Sequence, residues 1–496
     1  MQTGYWHNLY RQAGKRLFAQ NHWFIIVSMI SGSLLGLSII NRGPLQSLGI
    51  LVGLIIIMVT FKYPEVVILL IISYASRLIP VQFNYSLKLA GRGYFLTDFL
   101  FCSLMAVIFL KLLADRNYRL IKTPLDIPLL ILAVAVVIGV ATATFIHAVN
   151  FSHTTPEARM LLYYLIFFPV TNLIRSEAQL NRLIQGLFLI GILIALMMVI
   201  QAIFGPSINL IDKSTLKGSG EMIRFFNPGA VMVYLTLMVF LCSLAIRVDD
   251  HRQYLKLLLI SVLGTALLLT LGRNLLFSTA ISLGVLAILL RKSQLSRLVV
   301  NAVFITAIAS GIFAAIQILG IGPNILRYFS LYVSRVAHLF TTSVLSPEET
   351  LAWRWNEILY AWPKLLKNPI LGIGLFTPYR PPFYLGDHLL GYIHNAYLWL
   401  WLKTGLLGLF AFLWLSFRFM SRGFRYWRSI PDHFLRAIIL GLTLMYLAML
   451  ISNLVAPTLV QSLSSAVFGV ILGINEVIYS FQTSGKTSMK GVFRNE

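Results

Sequence analysis

Apolar windows of about 17–22 residues recur roughly fourteen times along this chain, and few folds can absorb such a series. They fall near residues 23–40, 45–61, 64–79, 94–113, 127–148, 159–175, 184–204, 228–246, 255–272, 274–290, 298–319, 396–417, 436–453 and 459–480. At about 1.5 Å per residue each is close to the length needed to cross the hydrocarbon core of a bilayer as a helix. A helix satisfies its own backbone hydrogen bonds there, which lipid cannot do for it. The expected fold is therefore an all-α polytopic membrane protein with about 12–14 transmembrane helices. A composition that is 58% hydrophobic and only 11% charged excludes an ordinary soluble domain. The two cysteines, Cys102 and Cys242, both lie inside apolar windows, so neither a disulfide framework nor a cysteine metal site is expected.

The net charge of +23 is explained in large part by topology. With the N-terminus on the cytoplasmic side, the shorter inside segments collect Lys111, Arg116 and Arg119, then Arg175 and Arg182, then Arg291, Lys292 and Arg297, then Arg418 through Arg436. This is the distribution the positive-inside rule requires, and no nucleic-acid partner is needed to account for it. Arg11, Lys15 and Arg16 precede the apolar run from Trp23 with no small-residue cleavage site close behind, which reads as a retained first helix. The chain then divides into a cytoplasmic N-terminus (1–22), eleven helices (23–319), an extracytoplasmic helical loop (320–395), three more helices (396–480) and a cytoplasmic tail (481–496).

The long outer loop carries two helix signals. Residues 325–340 are aromatic and amphipathic, suited to a membrane surface. Ser346-Pro347-Glu348-Glu349 supplies a cap, a proline at the first helical position and a capping-box glutamate, and Asn368-Pro369 marks the end of that helix. The Glu348–Glu349 pair is accordingly read as a helix start rather than as a carboxylate dyad.

Where the loop meets the next apolar window stands His394-Asn395, and one helical stretch later come Gly405 and Gly408, three apart as for close helix packing. An imidazole at the mouth of a membrane helix can reach a water-borne hydroxyl and a lipid-borne headgroup together. Basic residues left on the outer side need their own explanation: Arg224 before the eighth window, Arg273 in a short turn between two windows, and Arg354 and Arg380 in the loop. A guanidinium binds phosphate oxygens in a bidentate fork and stays charged at a low-dielectric surface. Snorkelling to headgroups explains an outer arginine as well. It fits Arg273 least, because a tight interhelical turn tolerates a charge poorly without a partner. Asp98, near an outer helix end, is a candidate partner for an arginine. The sequence holds no phosphate-loop glycine motif, no nucleophile elbow and no paired-histidine metal motif on the outer side.

The run His394-Asn395, nine residues, Gly405-x-x-Gly408 resembles the signature of the O-antigen ligase/polymerase superfamily. Three further segments resemble it in order: Arg224-Phe-Phe-Asn227-Pro228, Gly272-Arg273-Asn274, and Arg354-Trp355 with Asn368-Pro369 through Gly374. The family turn often reads Ser-Arg-Gly where this chain has Gly272-Arg273-Asn274, and Asn227-Pro228 is followed by Gly229 rather than a second asparagine.

The resemblance implies a GT-C-like membrane fold and an inverting, metal-independent glycosyltransferase without cofactor. Its donor would be a glycan on undecaprenyl diphosphate, and its acceptor another glycan repeat, lipid A core or a protein. It further implies a bacterial inner-membrane location with the site facing the periplasm, surrounding membrane lipids as partners, and a chain-length regulator. On this resemblance His394 would deprotonate or orient the acceptor hydroxyl, and Arg273 and Arg224 would clamp the diphosphate. Asn395, Arg354, Asn227 and Arg380 would hold sugar or phosphate. The extra windows and the aromatic loop lean towards an O-antigen or exopolysaccharide polymerase over a ligase. A transporter or flippase of a lipid-linked glycan or small anion is the alternative, which would show ionisable residues or broken helices at mid-membrane.

Overall fold

The computed structural model describes residues 53, 55–80, 83, 86–89, 92–204, 210, 216–219, 222–225, 229–246, 253–270, 272–318, 349–383, 389–460 and 464–492. The first apolar window, most of the second, the amphipathic stretch 325–340, the Ser346–Glu348 start signal and Asn227 lie outside them. Among the described residues seven helices are long and apolar enough to cross a membrane, or eight if a bent pair is counted as one span, and three shorter apolar helices accompany them. The chain is an all-α polytopic membrane protein.

The bent pair is α1 (Ile55–Lys62) and α2 (Pro64–Ala75), which meet at 113°. Proline at the first turn of α2 sets this start, since the preceding residue is pushed away from helical backbone. A short hairpin, β1 (Ser86–Leu89) with β2 (Arg92–Phe95), leads into α3 (Leu96–Ala114). After α4 (Asp126–Ala141), which loosens into a π-turn at Thr142–Ile146, the sixth apolar window takes an unexpected form. It is a helical run broken by tighter winding: α5 (Phe151–Leu162), a 3-10 turn at Tyr163–Ile166 and α6 (Phe167–Leu173). Then come α7 (Glu177–Phe204), a second hairpin of β3 (Leu216–Ser219) and β4 (Met222–Phe225), α8 (Ala230–Ile246), α9 (Gln253–Leu269), α10 (Arg273–Leu289) and α11 (Lys292–Ile318). The two hairpins were not foreseen from the apolar windows. Their strands of four residues are too short to register there.

The last part comprises α12 (Glu349–Lys367), α13 (Ala396–Tyr426), α14 (His433–Ser452) and α15 (Ser464–Val492). Helix α12 ends where Asn368-Pro369 signals it, and α15 runs on past residue 480. Helices α8, α10 and α14 pack together, α13 packs along α4, and α15 along α6 and the 3-10 turn. The core these contacts make is mainly aliphatic and aromatic, with Tyr164, Tyr234, Tyr446, Trp399 and Phe412 among its largest buried side chains.

Ion pairs mark the two ends of the bundle. At one end Arg182 binds the buried Glu65 at 2.6 Å. There too Arg422 holds Glu476 through two nitrogens, at 2.8 and 3.0 Å. At the other end Asp98 pairs with Arg159 at 3.2 Å and accepts from the Tyr163 hydroxyl at 3.0 Å, so the arginine partner expected for Asp98 is found. His394 lies at this second end.

The decisive local feature is a break in α13. Gly405 has φ +70° and ψ −174°, so the helix stops and restarts there. At about 1.5 Å per residue the break lies about 14 Å along the helix from Ala396, close to half a bilayer core. The loop after α12 fills it. Ile373 donates its N–H to the Leu402 carbonyl at 2.7 Å, and Leu406 donates to the Pro369 carbonyl at 3.0 Å, so backbone groups freed by the break are satisfied by protein. A Cβ on Gly405 would collide with the Ile370 carbonyl, and one on Gly372 (φ +69°) with that of Leu402. The paired glycines thus do two jobs rather than the single helix-packing one expected. Gly405 admits the loop, and only Gly408, which faces Thr404 and Ala135 of α4, serves close helix approach.

Two residues before the break, Lys403 is wholly buried. Its Nζ donates to the Thr377 carbonyl at 2.6 Å, and Glu157 of α5 supplies the opposing charge. Glu157 itself accepts the Phe376 N–H at 2.7 Å, so lysine and glutamate pin adjacent residues of one loop. Lys403→Met keeps the volume but leaves the half-buried Glu157 carboxylate and the Thr377 carbonyl without their cation. It is expected to cost about 3 kcal/mol of stability, read as a lower midpoint in a thermal scan of detergent-solubilised protein. A midpoint equal to wild type would show that Lys403 and Glu157 are not coupled.

Candidate active site

Asn395 starts α13. Its Oδ1 accepts the N–H groups of Tyr397 and Leu398 at 3.0 and 2.9 Å, as an N-cap does. The helix start is tied to α14, because Ala396 donates its N–H to the Asn453 carbonyl at 3.0 Å. Next to Asn453, Ser452 Oγ is bound by Asn274 Nδ2 at 2.8 Å. The C-terminus of α14 therefore brings together the starts of α10 and α13, and with them Gly272-Arg273-Asn274 and His394-Asn395.

His394 has a partner that the sequence did not single out. Glu357 of α12 accepts from His394 twice: from Nδ1 at its Oε1 (2.8 Å) and from the backbone N–H at its Oε2 (2.9 Å). The Glu357 side chain is 2% exposed and that of His394 35%. A carboxylate that accepts at both oxygens makes Nδ1 the proton-bearing nitrogen and leaves Nε2 with its lone pair. The arrangement is a histidine oriented by a buried acid, with its free nitrogen on the accessible side.

Tyr392 stands edge-on to the imidazole, ring centres 4.9 Å apart at 88°. Its carbonyl accepts from the Tyr379 hydroxyl at 3.0 Å. Burial, with the Glu357 charge adding to it and Arg354 opposing, pushes the Tyr392 phenol up to about 12, so it remains a neutral wall. Through this shared influence on Tyr392, Arg354 joins the same cluster, three residues before Glu357 on the same helix face.

The other candidates are placed as follows. Arg273 is the first residue of α10 and stands on the site side of the bundle. Arg224 is placed by its backbone on β4, paired across the hairpin with Lys217. Asn227 is outside the described residues. Arg380 is turned to its own loop: it donates to the carbonyls of Pro381 and Leu389, each at 3.1 Å, and lies 4.0 Å over the Phe383 ring. Asn395 uses its side-chain oxygen to cap α13. These contacts engage the side-chain oxygen of Asn395 and the two terminal nitrogens of Arg380. Among the described residues no three His, Cys, Asp or Glu side chains converge as metal ligands.

Glu357 escaped sequence reasoning because nothing near it in the chain looks catalytic. One signal was available. On α12 it falls on the side of Ala361 and Leu365, both buried, where a carboxylate is out of place unless something binds it.

Residues 257–413 match the family described as O-antigen ligase. No curated protein matches the chain. The matched segment contains Arg273, Arg354, Glu357, His394 and the break in α13 at Gly405, whereas Arg224 and Asn227 precede it. On this match and the architecture around it, the chain is a polytopic membrane protein whose residues 257–413 are similar to the O-antigen ligase family, a likeness that supports a function in glycan transfer.

Proposed function

We propose that the protein transfers a glycan from undecaprenyl diphosphate to an acceptor hydroxyl at the His394 end of the bundle, with inversion and without a metal. The observation that carries this reading is the Glu357–His394 pair at the mouth of α13. His394 Nε2 takes the proton of the acceptor hydroxyl as its oxygen attacks the anomeric carbon. The bond from that carbon to the diphosphate oxygen breaks, and the diphosphate leaves with the electron pair. Arg273, at the positive end of α10, and Arg224 and Arg354 supply the charge that a departing diphosphate requires. Attack from the face opposite the leaving group inverts the anomeric centre.

Two features of α13 resemble what a transporter would use, a mid-helix break and a buried lysine, but both are hydrogen-bonded to the loop 369–377. Between acceptors, the extra apolar windows and aromatic loop support a polymerase of O-antigen or exopolysaccharide. The test is chain growth in proteoliposomes given an undecaprenyl-diphosphate oligosaccharide, with and without lipid A core. A ladder from donor alone is the expected result. A single adduct on the core lipid would make the protein a ligase, and movement of donor across the bilayer with no transfer to either acceptor would overturn the transferase reading.

A further inference from the structure

Helix α12 has three distinct faces, about 120° apart at 3.6 residues per turn. One is buried against the protein and carries Glu357, Ala361 and Leu365. A second carries the exposed Asn356, Lys364 and Lys367, with Trp353 and Tyr360 between them packed on Phe383. The third is apolar yet open: Trp355 is 61% exposed, Leu359 52%, Trp362 49% and Leu366 68%. These four, spaced i, i+4, i+7 and i+11, form a stripe about 60° wide.

We propose that this stripe is a lipid-contact surface, and that α12 lies in the interface of the bilayer with its apolar face among acyl chains and its lysine face in water. The inference concerns what holds α12, and it stands apart from the chemistry proposed for His394. Two observations identify the occupant as bilayer lipid. The stripe meets a spanning helix: Trp362 packs edge-on to Trp401 of α13, 6.2 Å between ring centres, and past the break the same helix exposes Leu406, Phe410 and Phe417. Its composition is also that of an interfacial helix, with two tryptophans beside leucine and lysines on the adjoining face. A water-exposed stripe of this size would instead be an aggregation liability.

The consequence reaches the active site. Glu357 is fixed to the same helix, two residues from Trp355, so the depth of α12 in the membrane determines where the carboxylate meets His394. Glu357 is on this view a positioning residue whose position the bilayer sets.

The experiment uses the full chain in nanodiscs of phosphatidylethanolamine and phosphatidylglycerol, with Cys102→Ser and Cys242→Ala removing the native thiols. A nitroxide is attached in turn at Leu359→Cys, Leu366→Cys and Lys364→Cys, and its collisions with oxygen and with a water-soluble nickel chelate are compared. Oxygen should dominate at 359 and 366 and the chelate at 364. Dominance of the chelate at 359 and 366 would overturn the proposal, and so would protection from both reagents, which would assign the stripe to protein instead. This readout needs no transfer activity, so it stands or falls separately from the glycosyltransferase reading. For the positional consequence, Leu359→Glu should lower transfer roughly 10–100-fold, as expected when a supporting group is displaced by about 1 Å, while Lys364→Glu leaves it unchanged. Equal transfer by both variants, each with a wild-type melting profile, would uncouple membrane depth from Glu357.

Discussion

His394→Ala is expected to lower glycan transfer by about 10²–10⁴-fold, the range associated with loss of a general base, with a modest loss of folded yield because Oε1 of the buried Glu357 loses its Nδ1–H donor. The imidazole is about a third exposed and its removal opens no closed core cavity. The informative comparison is with Glu357. Glu357→Gln retains an acceptor oxygen for one of the two His394 hydrogen bonds but presents an amide in place of the anion. The neutral amide no longer stabilises the imidazolium that forms when Nε2 takes the proton, so kcat should fall with little change in KM. Glu357→Ala removes both acceptors and leaves the His394 backbone N–H unsatisfied, so transfer and stability should fall together. The double variant His394→Ala/Glu357→Gln should be hardly slower than His394→Ala alone, because the acid acts only through the histidine. Single-turnover rates in proteoliposomes decide this. Fully multiplicative losses would mean that Glu357 works on substrate by another route.

Gly405→Ala is expected to be the most destabilising single-methyl change in the described part of the chain. A side chain at φ +70° is strained whatever the space, by about 1–3 kcal/mol. Here the added carbon would also meet the Ile370 carbonyl, a backbone atom that cannot swing aside. The loop 369–373 would be expelled from the break, and the N–H of Leu406 and the carbonyl of Leu402 would lose their partners inside the membrane. A loss above about 3 kcal/mol is the expected sum of strain and two unmade hydrogen bonds, visible as a collapse of the monodisperse peak on fluorescence-detected size exclusion. Gly408→Ala meets only side chains, those of Thr404 and Ala135, and should be milder. If the two variants behave alike, Gly405 serves helix packing and not loop insertion.

These two experiments address the same structural fact from opposite ends. The loop that fills the α13 break is the one that Lys403 and Glu157 pin, and Gly391, where an added Cβ would come within 3.1 Å of Lys403 Nζ, is three residues from His394. The acid partner arrives separately, on α12. The site is therefore assembled from three directions: α10 and α13 joined through α14, the inserted loop, and α12 at the surface.

The chain by itself determined the class of fold, because apolar windows of bilayer length leave no other arrangement for backbone hydrogen bonds, and it marked His394 and Arg273 as polar residues placed where such windows end. Helix signals of local origin were legible too, as at Asn368-Pro369, since caps and prolines act within a few residues. What only the tertiary structure decided depends on partners far apart in sequence. Glu357 meets His394 across 37 residues and Asn274 reaches Ser452 across 178. Gly405 looked like a helix-packing glycine until the carbonyls of Pro369 and Ile370 were seen beside it. An apolar window records how long a helix can be, and carries no information about where a backbone leaves that helix to let another segment in.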